Sequence, residues 1–145
     1  LWSRGLGDVY KRQRHEALEI AARFKVHAAI DISDGLSLDL ARMMRASACR
    51  AIVDLARVPI HPDAERRSRL DGDGTSPLDH ALGDGEDFEL LLALPPADAL
   101  ALVVDPPAGI APTILGEVTA GTGLVGRSAD GALQPLQPRG WLHEG

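Results

Sequence analysis

The apolar run Ala28-Ala29-Ile30 ends on a carboxylate, Asp31, and beyond it Leu36, Leu40, Met43 and Met44 recur at the spacing of one helical face. The pattern predicts a buried strand that hands over at once to a helix, running from Gly35 to about Ser47 with Ser33 or Asp34 as its cap. Upstream, Ala17, Leu18, Ala21, Ala22 and Phe24 predict an amphipathic helix over His15–Phe24. Downstream, Arg50–Leu55 reads as a second strand, closed soon after by Pro59. His61–Ser76 is polar and reads as a short exposed helix and a loop.

Ser76 and Pro77 mark the start of a helix reaching Leu82. Phe88–Leu94 follows as a strand whose consecutive Leu90, Leu91 and Leu92 suggest cover on both faces. Pro96–Val104 predicts another helix, Thr113–Val118 a strand, and Leu124-Val125 its neighbour across the turn Gly121–Gly123. The tail from Gln134 is too rich in proline for a helix. Alternating helices and strands with one hairpin imply an α/β layer domain with a mixed sheet covered by helices.

Composition narrows the partners. Aromatic residues make up only 3% of 145 residues, so the core must rest on Leu, Ala, Val and Ile. A net charge of −6 argues against nucleic acid or an anionic membrane and demands local cations or metal for any phosphate ligand. Cys49 is the single cysteine, which excludes an intrachain disulfide. No apolar run approaches the ~20 residues of a membrane span, and no signal peptide is expected at the N-terminus. A reducing, cytoplasmic setting is the expectation. Within Leu1–Gln13, Asp8-Val9-Tyr10-Lys11-Arg12-Gln13 is what GAT GTG TAT AAG AGA CAG encodes, the end of a transposon adapter used in sequencing libraries. Residues 1–13 are therefore expected to be foreign to a domain formed by residues 14–145.

The chemistry concentrates in Asp31-Ile32-Ser33-Asp34-Gly35-Leu36. Two carboxylates and a hydroxyl converge where a strand meets a helix N-terminus, whose free N–H groups and positive dipole suit phosphate. The carboxylates would repel phosphate unless a hard cation lay between, and Mg²⁺ is commonly held by one or two carboxylates together with nucleotide oxygens. Capping alone is the alternative, but no Glu or Gln follows three residues after Ser33 or Asp34 to complete a capping box, and capping leaves Asp31 unexplained. Asp39 offers either a further metal or water ligand or an exposed ion pair with Arg42. Further along, Asp84, Glu86, Asp87 and Glu89 crowd an acidic turn that is costly unless it faces water, cations or donors.

Together with Gly85-Glu86-Asp87-Phe88-Glu89-Leu90, the first hexapeptide resembles the C-terminal half of the thiamine-monophosphate kinase family, within the aminoimidazole-ribonucleotide synthetase superfamily. The resemblance runs from about His15 to His143, with the family's N-terminal domain absent. It implies a sheet covered by helices, a homodimer in the complete enzyme, and transfer of the γ-phosphoryl group of ATP to thiamine phosphate. By position, Asp31 and Asp34 match metal (Mg²⁺) ligands, Ser33 a nucleotide contact, Glu86 a substrate contact and Trp141 the aromatic residue that meets the thiamine moiety. The matched pattern departs at Gly83-Asp84-Gly85, at Phe88 and at His143-Glu144. Most metal ligands belong to the absent half, so the chain alone is expected to be inactive. Two alternatives are another ATP-using synthetase of the superfamily, which the second hexapeptide speaks against, and a non-catalytic nucleotide- or metabolite-binding module.

Overall fold

The strand-to-helix handover stands at the centre of the computed structural model, which describes residues 6–72, 74–84 and 89–140. Helix α1 spans Leu6–Arg23, strand β1 Ala28–Ile32, helix α2 Leu36–Ser47 and strand β2 Cys49–Asp54. A 3₁₀ turn over Leu55–Arg57 leads to α3 (Pro62–Asp71) and α4 (Pro77–Gly83). There follow β3 (Glu89–Ala93), α5 (Pro96–Val104), β4 (Gly116–Ala120), β5 (Gly123–Arg127) and β6 (Leu133–Pro135). Helix α2 ends where the pattern places it because Ala48 adopts the left-handed conformation (φ 52°) and turns its N–H back on the carbonyls of Met44 and Arg45. Strand β2 can then begin at the next residue, Cys49, so this cysteine opens a strand instead of closing a helix.

The strands form two sheets, one mixed and four-stranded in the order β4-β2-β5-β6, the other a two-stranded β1-β3 ladder. Helix α2 packs on both. Its Leu36, Leu40, Met43 and Met44 join Ile32 and Leu91 of the ladder to Ala51, Val53 and Leu124 of the mixed sheet in one apolar core. Only Leu91 of the three consecutive leucines in β3 is fully buried. Among the described residues no helix is long and apolar enough to cross a membrane.

Two expectations change. Strands β4 and β5 are not hairpin neighbours: both pair with β2, β4 antiparallel and β5 parallel to it. Three virtual bonds of ~3.8 Å just span the two strand spacings of ~4.8 Å that separate such flanking strands. The Gly121-Thr122 link can therefore step round the start of β2. Helix α1 begins at Leu6, upstream of the pattern, and among its described side chains the buried one is Ile20. Leu18, assigned to the apolar face, is 68% exposed. The end of α1 is tied down by polar contacts: Arg23 pairs with Asp105 at 2.6 Å, and the Lys25 N–H donates to Asp98 at 2.8 Å.

Candidate functional site

Strand alternation sends Ile32 into the core and leaves Asp31 exposed at the end of β1. In the antiparallel ladder Asp31 lies opposite Leu90 and Ile32 opposite Glu89. The first hexapeptide and Glu89-Leu90, the described end of the second, are thus brought side by side although far apart in the chain. The turn Ser33-Asp34-Gly35 then delivers the chain to α2. Gly35 is the cap residue at φ 133°, ψ 143°, a region essentially reserved for glycine. A Cβ there would stand 2.8 Å from the Gly83 carbonyl oxygen and 3.0 Å from that of Arg139.

Neither Ser33 nor Asp34 caps α2, contrary to expectation; no side chain bonds the helix start from the cap position. The bonding runs the other way. Asp39, one turn inside the helix, accepts the N–H groups of both Ser33 and Asp34 on one carboxylate oxygen, each at 2.9 Å. Its other oxygen accepts from Arg42 at 2.7 Å, and the same guanidinium nitrogen donates to Asp34. The i,i+3 pair with Arg42 exists, but Asp39 is only 1% exposed, so it is the buried post around which the turn is wound. The hydrogen bonds that Arg42 donates to Asp34 first, and then to Asp39, push its pKa upward and fix its charge in place. Asp34 is itself buried, whereas Asp31 and Ser33 are exposed.

Glu86 and Trp141 lie outside the described residues, but the chain on their near sides is placed. Helix α4 ends at Gly83 against the Asp34-Gly35 turn, and Asp84 follows as its cap. The Asp84 carboxylate is met by Arg67 of α3 at 3.0 Å and by Nδ1 of buried His80 at 3.2 Å. Of the three arginines on α3, Arg66 and Arg69 make pairs within the helix, with Asp63 and Glu65, while Arg67 reaches across to this turn. On the other side, Gly140 is pressed so closely onto the first motif that a Cβ would come within 2.3 Å of the Asp34 carbonyl oxygen. The structured flanks of Glu86 and Trp141 therefore both abut the Asp31–Gly35 turn. Sequence reasoning missed Ser37, whose hydroxyl joins these flanks to α2. Only its i,i+3 partner, Arg42, hinted at the role of Asp39.

Among the described residues no group of three or more His, Cys, Asp or Glu is placed to hold a metal. Mg²⁺ does not need one, since it commonly takes one or two carboxylates and completes its shell with phosphate and water oxygens. Asp31 and Asp34 are hard oxygen donors at the mouth of a helix N-terminus, and they fit that pattern. A cleft of about 370 Å³ along β1 and α2, lined by Ala28, Ile30, Arg42 and Met43, borders the motif. A second, of about 360 Å³, opens at the far end of β2 around Asp54, Arg57 and Arg127. There Arg127 donates to Asp54 at 2.5 Å and to Glu117 at 2.9 Å, and the first bond holds the Asp54 carboxyl below the usual carboxylate range.

Residues 3–128 match the family described as AIR synthase related protein, C-terminal domain. The thiamine-monophosphate kinase of Rhodopirellula baltica is 41% identical over 130 residues, covering 87% of this chain and 40% of that protein. The thiamine-monophosphate kinase of Caulobacter vibrioides is 32% identical over 142 residues, covering 94% of this chain and 40% of that protein. The chain thus spans about two fifths of the length of these curated relatives. Among solved structures, thiamine-monophosphate kinase from Stenotrophomonas maltophilia K279a superposes with a TM-score of 0.63 at 28% identity, covering 89% of this chain and 42% of that one. The structure described as AaThiL complexed with AMPPCP and TMP gives 0.67 at 22% identity, covering 99% and 44%; at that identity it shows the fold alone.

Proposed function

The chain belongs to the AIR synthase related protein, C-terminal domain family, and from that premise we propose that it is the acceptor-side domain of a thiamine-phosphate kinase. The reaction breaks the bond between the β,γ-bridging oxygen and the γ-phosphorus of ATP. A phosphate oxygen of thiamine phosphate forms the new P–O bond, ADP leaves, and thiamine diphosphate results. One observation carries this reading: the β1-β3 ladder sets Asp31 and Ile32 beside Glu89 and Leu90 at the start of α2. The 41% identity to a thiamine-monophosphate kinase over 87% of this chain supports it.

Phosphoryl transfer asks little covalent chemistry of the protein and much positioning. Asp31 and Asp34 would hold Mg²⁺, which supplies charge neutralisation to the nucleotide phosphates. Ser33, exposed beside them, offers its hydroxyl to the nucleotide. Asp39 and Arg42 keep the turn wound and Asp34 oriented, so the carboxylates need not reorganise as charge moves. Glu86 and Trp141 take the acceptor, Glu86 by hydrogen bonding and Trp141 by stacking its flat face on the thiamine rings. The complete enzyme would be a cytoplasmic homodimer, and the 145-residue chain by itself would be inactive. Residues 1–13 remain proposed as foreign to the domain, although α1 continues through part of them. Their removal should leave the melting temperature unchanged, and a loss of several degrees would make them native.

The test joins this chain to the N-terminal region of a related kinase and follows thiamine diphosphate formation with ATP and Mg²⁺. Product formation by the joined enzyme, and none by the chain alone, is expected. A joined enzyme that folds and binds ATP yet leaves thiamine phosphate untouched would refute the substrate assignment. Light scattering of the joined enzyme should give the mass of a dimer; a monomer would remove that element.

A further inference from the structure

We propose that Ser37 is a positioning residue: its hydroxyl clamps the C-terminal tail to the strand–helix turn and so sets the acceptor side of the site. A serine within a helix ordinarily bonds its own preceding turn or water. Ser37 does neither of these in its recorded bonds and is 1% exposed. It accepts the Arg139 N–H at 2.9 Å, and its proton lies between two carbonyl oxygens, Leu82 at 2.9 Å and Arg139 at 3.0 Å. The single proton of the hydroxyl is thereby committed, and one of its two lone pairs is taken.

The three segments it joins are those the function needs together. Ser37 belongs to the first turn of α2, directly after the Asp31–Gly35 motif. Leu82 lies in the last turn of α4, four residues before Glu86, and Arg139 stands two residues before Trp141. Two close approaches confirm that the tail is seated: Gly140 against the Asp34 carbonyl and the Leu38 side chain, and Gly35 against the Arg139 carbonyl. The Arg139 guanidinium adds a second hold, donating to Asp79 of α4 at 2.8 Å. Strand β6 ends at Pro135 and the Leu136 N–H still bonds Leu124, so beyond that point the tail is held by side chains and not by a ladder. Loosening the clamp should weaken capture of the acceptor while leaving the nucleotide side intact. That consequence rests on the kinase reading; the clamp itself does not.

Two measurements on Ser37→Ala separate them. In the 145-residue chain, amide exchange at Arg139 should quicken by about tenfold or more as its acceptor is lost. In the joined kinase, KM for thiamine phosphate should rise about tenfold, the scale of one hydrogen bond. KM for ATP and kcat should stay within about twofold. Val53→Ala, a cavity in the mixed sheet matched in melting temperature, should move neither KM. Unchanged Arg139 exchange would overturn the clamp. So would KM values for both substrates that shift alike, or a Val53→Ala enzyme that reproduces the Ser37→Ala kinetics. If the unsubstituted kinase leaves thiamine phosphate untouched, the kinase reading falls instead, and Arg139 exchange alone decides the clamp.

Discussion

Two helices of this domain start from similar residues and finish differently. Helix α4 opens Ser76-Pro77-Leu78-Asp79 and uses its polar groups on itself. The Ser76 hydroxyl accepts the Asp79 N–H at 3.1 Å, and Asp79 reaches back to the Ser76 N–H at 3.3 Å, a complete capping box with Pro in the first turn. Helix α2 opens Ser33-Asp34-Gly35 and does not spend its serine and aspartate this way. Gly35 makes the turn, Asp39 gathers the preceding N–H groups from within, and the exposed Asp31 and Ser33 have no recorded hydrogen bond from their side chains among the described residues. A helix start whose oxygens are occupied is structural. One that recruits a buried carboxylate from its own first turn leaves the exposed Asp31 and Ser33 outside the bonding of the helix start.

The contrast can be broken hardest at Gly35. Gly35→Ala places a Cβ in a backbone region closed to it and 2.8 Å from the Gly83 carbonyl oxygen. A loss of at least about 3 kcal/mol is expected in urea titration. Retention of near-normal stability would mean that the turn is not built as described.

Smaller effects set the two helix starts side by side. Ser76→Ala removes a working cap and should cost about 1 kcal/mol. Ser33→Ala, at an exposed hydroxyl that caps nothing, should stay within about 0.5 kcal/mol. Equal losses at both positions would erase the distinction.

The smallest effect is one of pH. The Ser76 hydroxyl first, then the Ser76 N–H and the Arg139 and His80 charges, hold the Asp79 carboxyl below the usual carboxylate range against the opposing cost of desolvation. A folded pKa below the unfolded value of ~3.9 contributes stability that is fully present above that value and is lost as pH falls through the folded one. The Ser76→Ala penalty should therefore shrink by a few tenths of a kcal/mol between about pH 6 and pH 3, because Asp79 is partly exposed and screened. Ser33→Ala should show no such trend. Urea midpoints at stepped pH would check both, and a constant Ser76→Ala penalty would contradict the coupling.

What the chain discloses by itself is what local rules control. The limits of α2 and α5, the cap and proline of α4 and the carboxylate near the end of β1 all follow from periodicity and turn chemistry. The pairing of β4 and β5 does not. Two short strands around Gly121-Thr122-Gly123 carry a hairpin signal, and only the presence of β2 between them, about 70 residues earlier, overrides it. Asp39 lies off the apolar stripe of α2, so its burial comes from the turn that closes over it. Ser37 acts through partners 45 and 102 residues away, a separation no local pattern encodes. Leu18 has the spacing of a core residue and faces outward.

The most direct measurement is Asp31→Asn in the joined kinase, with unfolding and turnover recorded on the same preparation. Asp31 is exposed and has no recorded ion pair among the described residues. The melting temperature should therefore stay within about a degree. Turnover should fall at least about a hundredfold, and the Mg²⁺ needed for half-maximal rate should rise, because the lost charge acts on the phosphates mainly in the transition state. Near-normal turnover at limiting Mg²⁺ would show that α2 keeps Asp31 for no ligand at all.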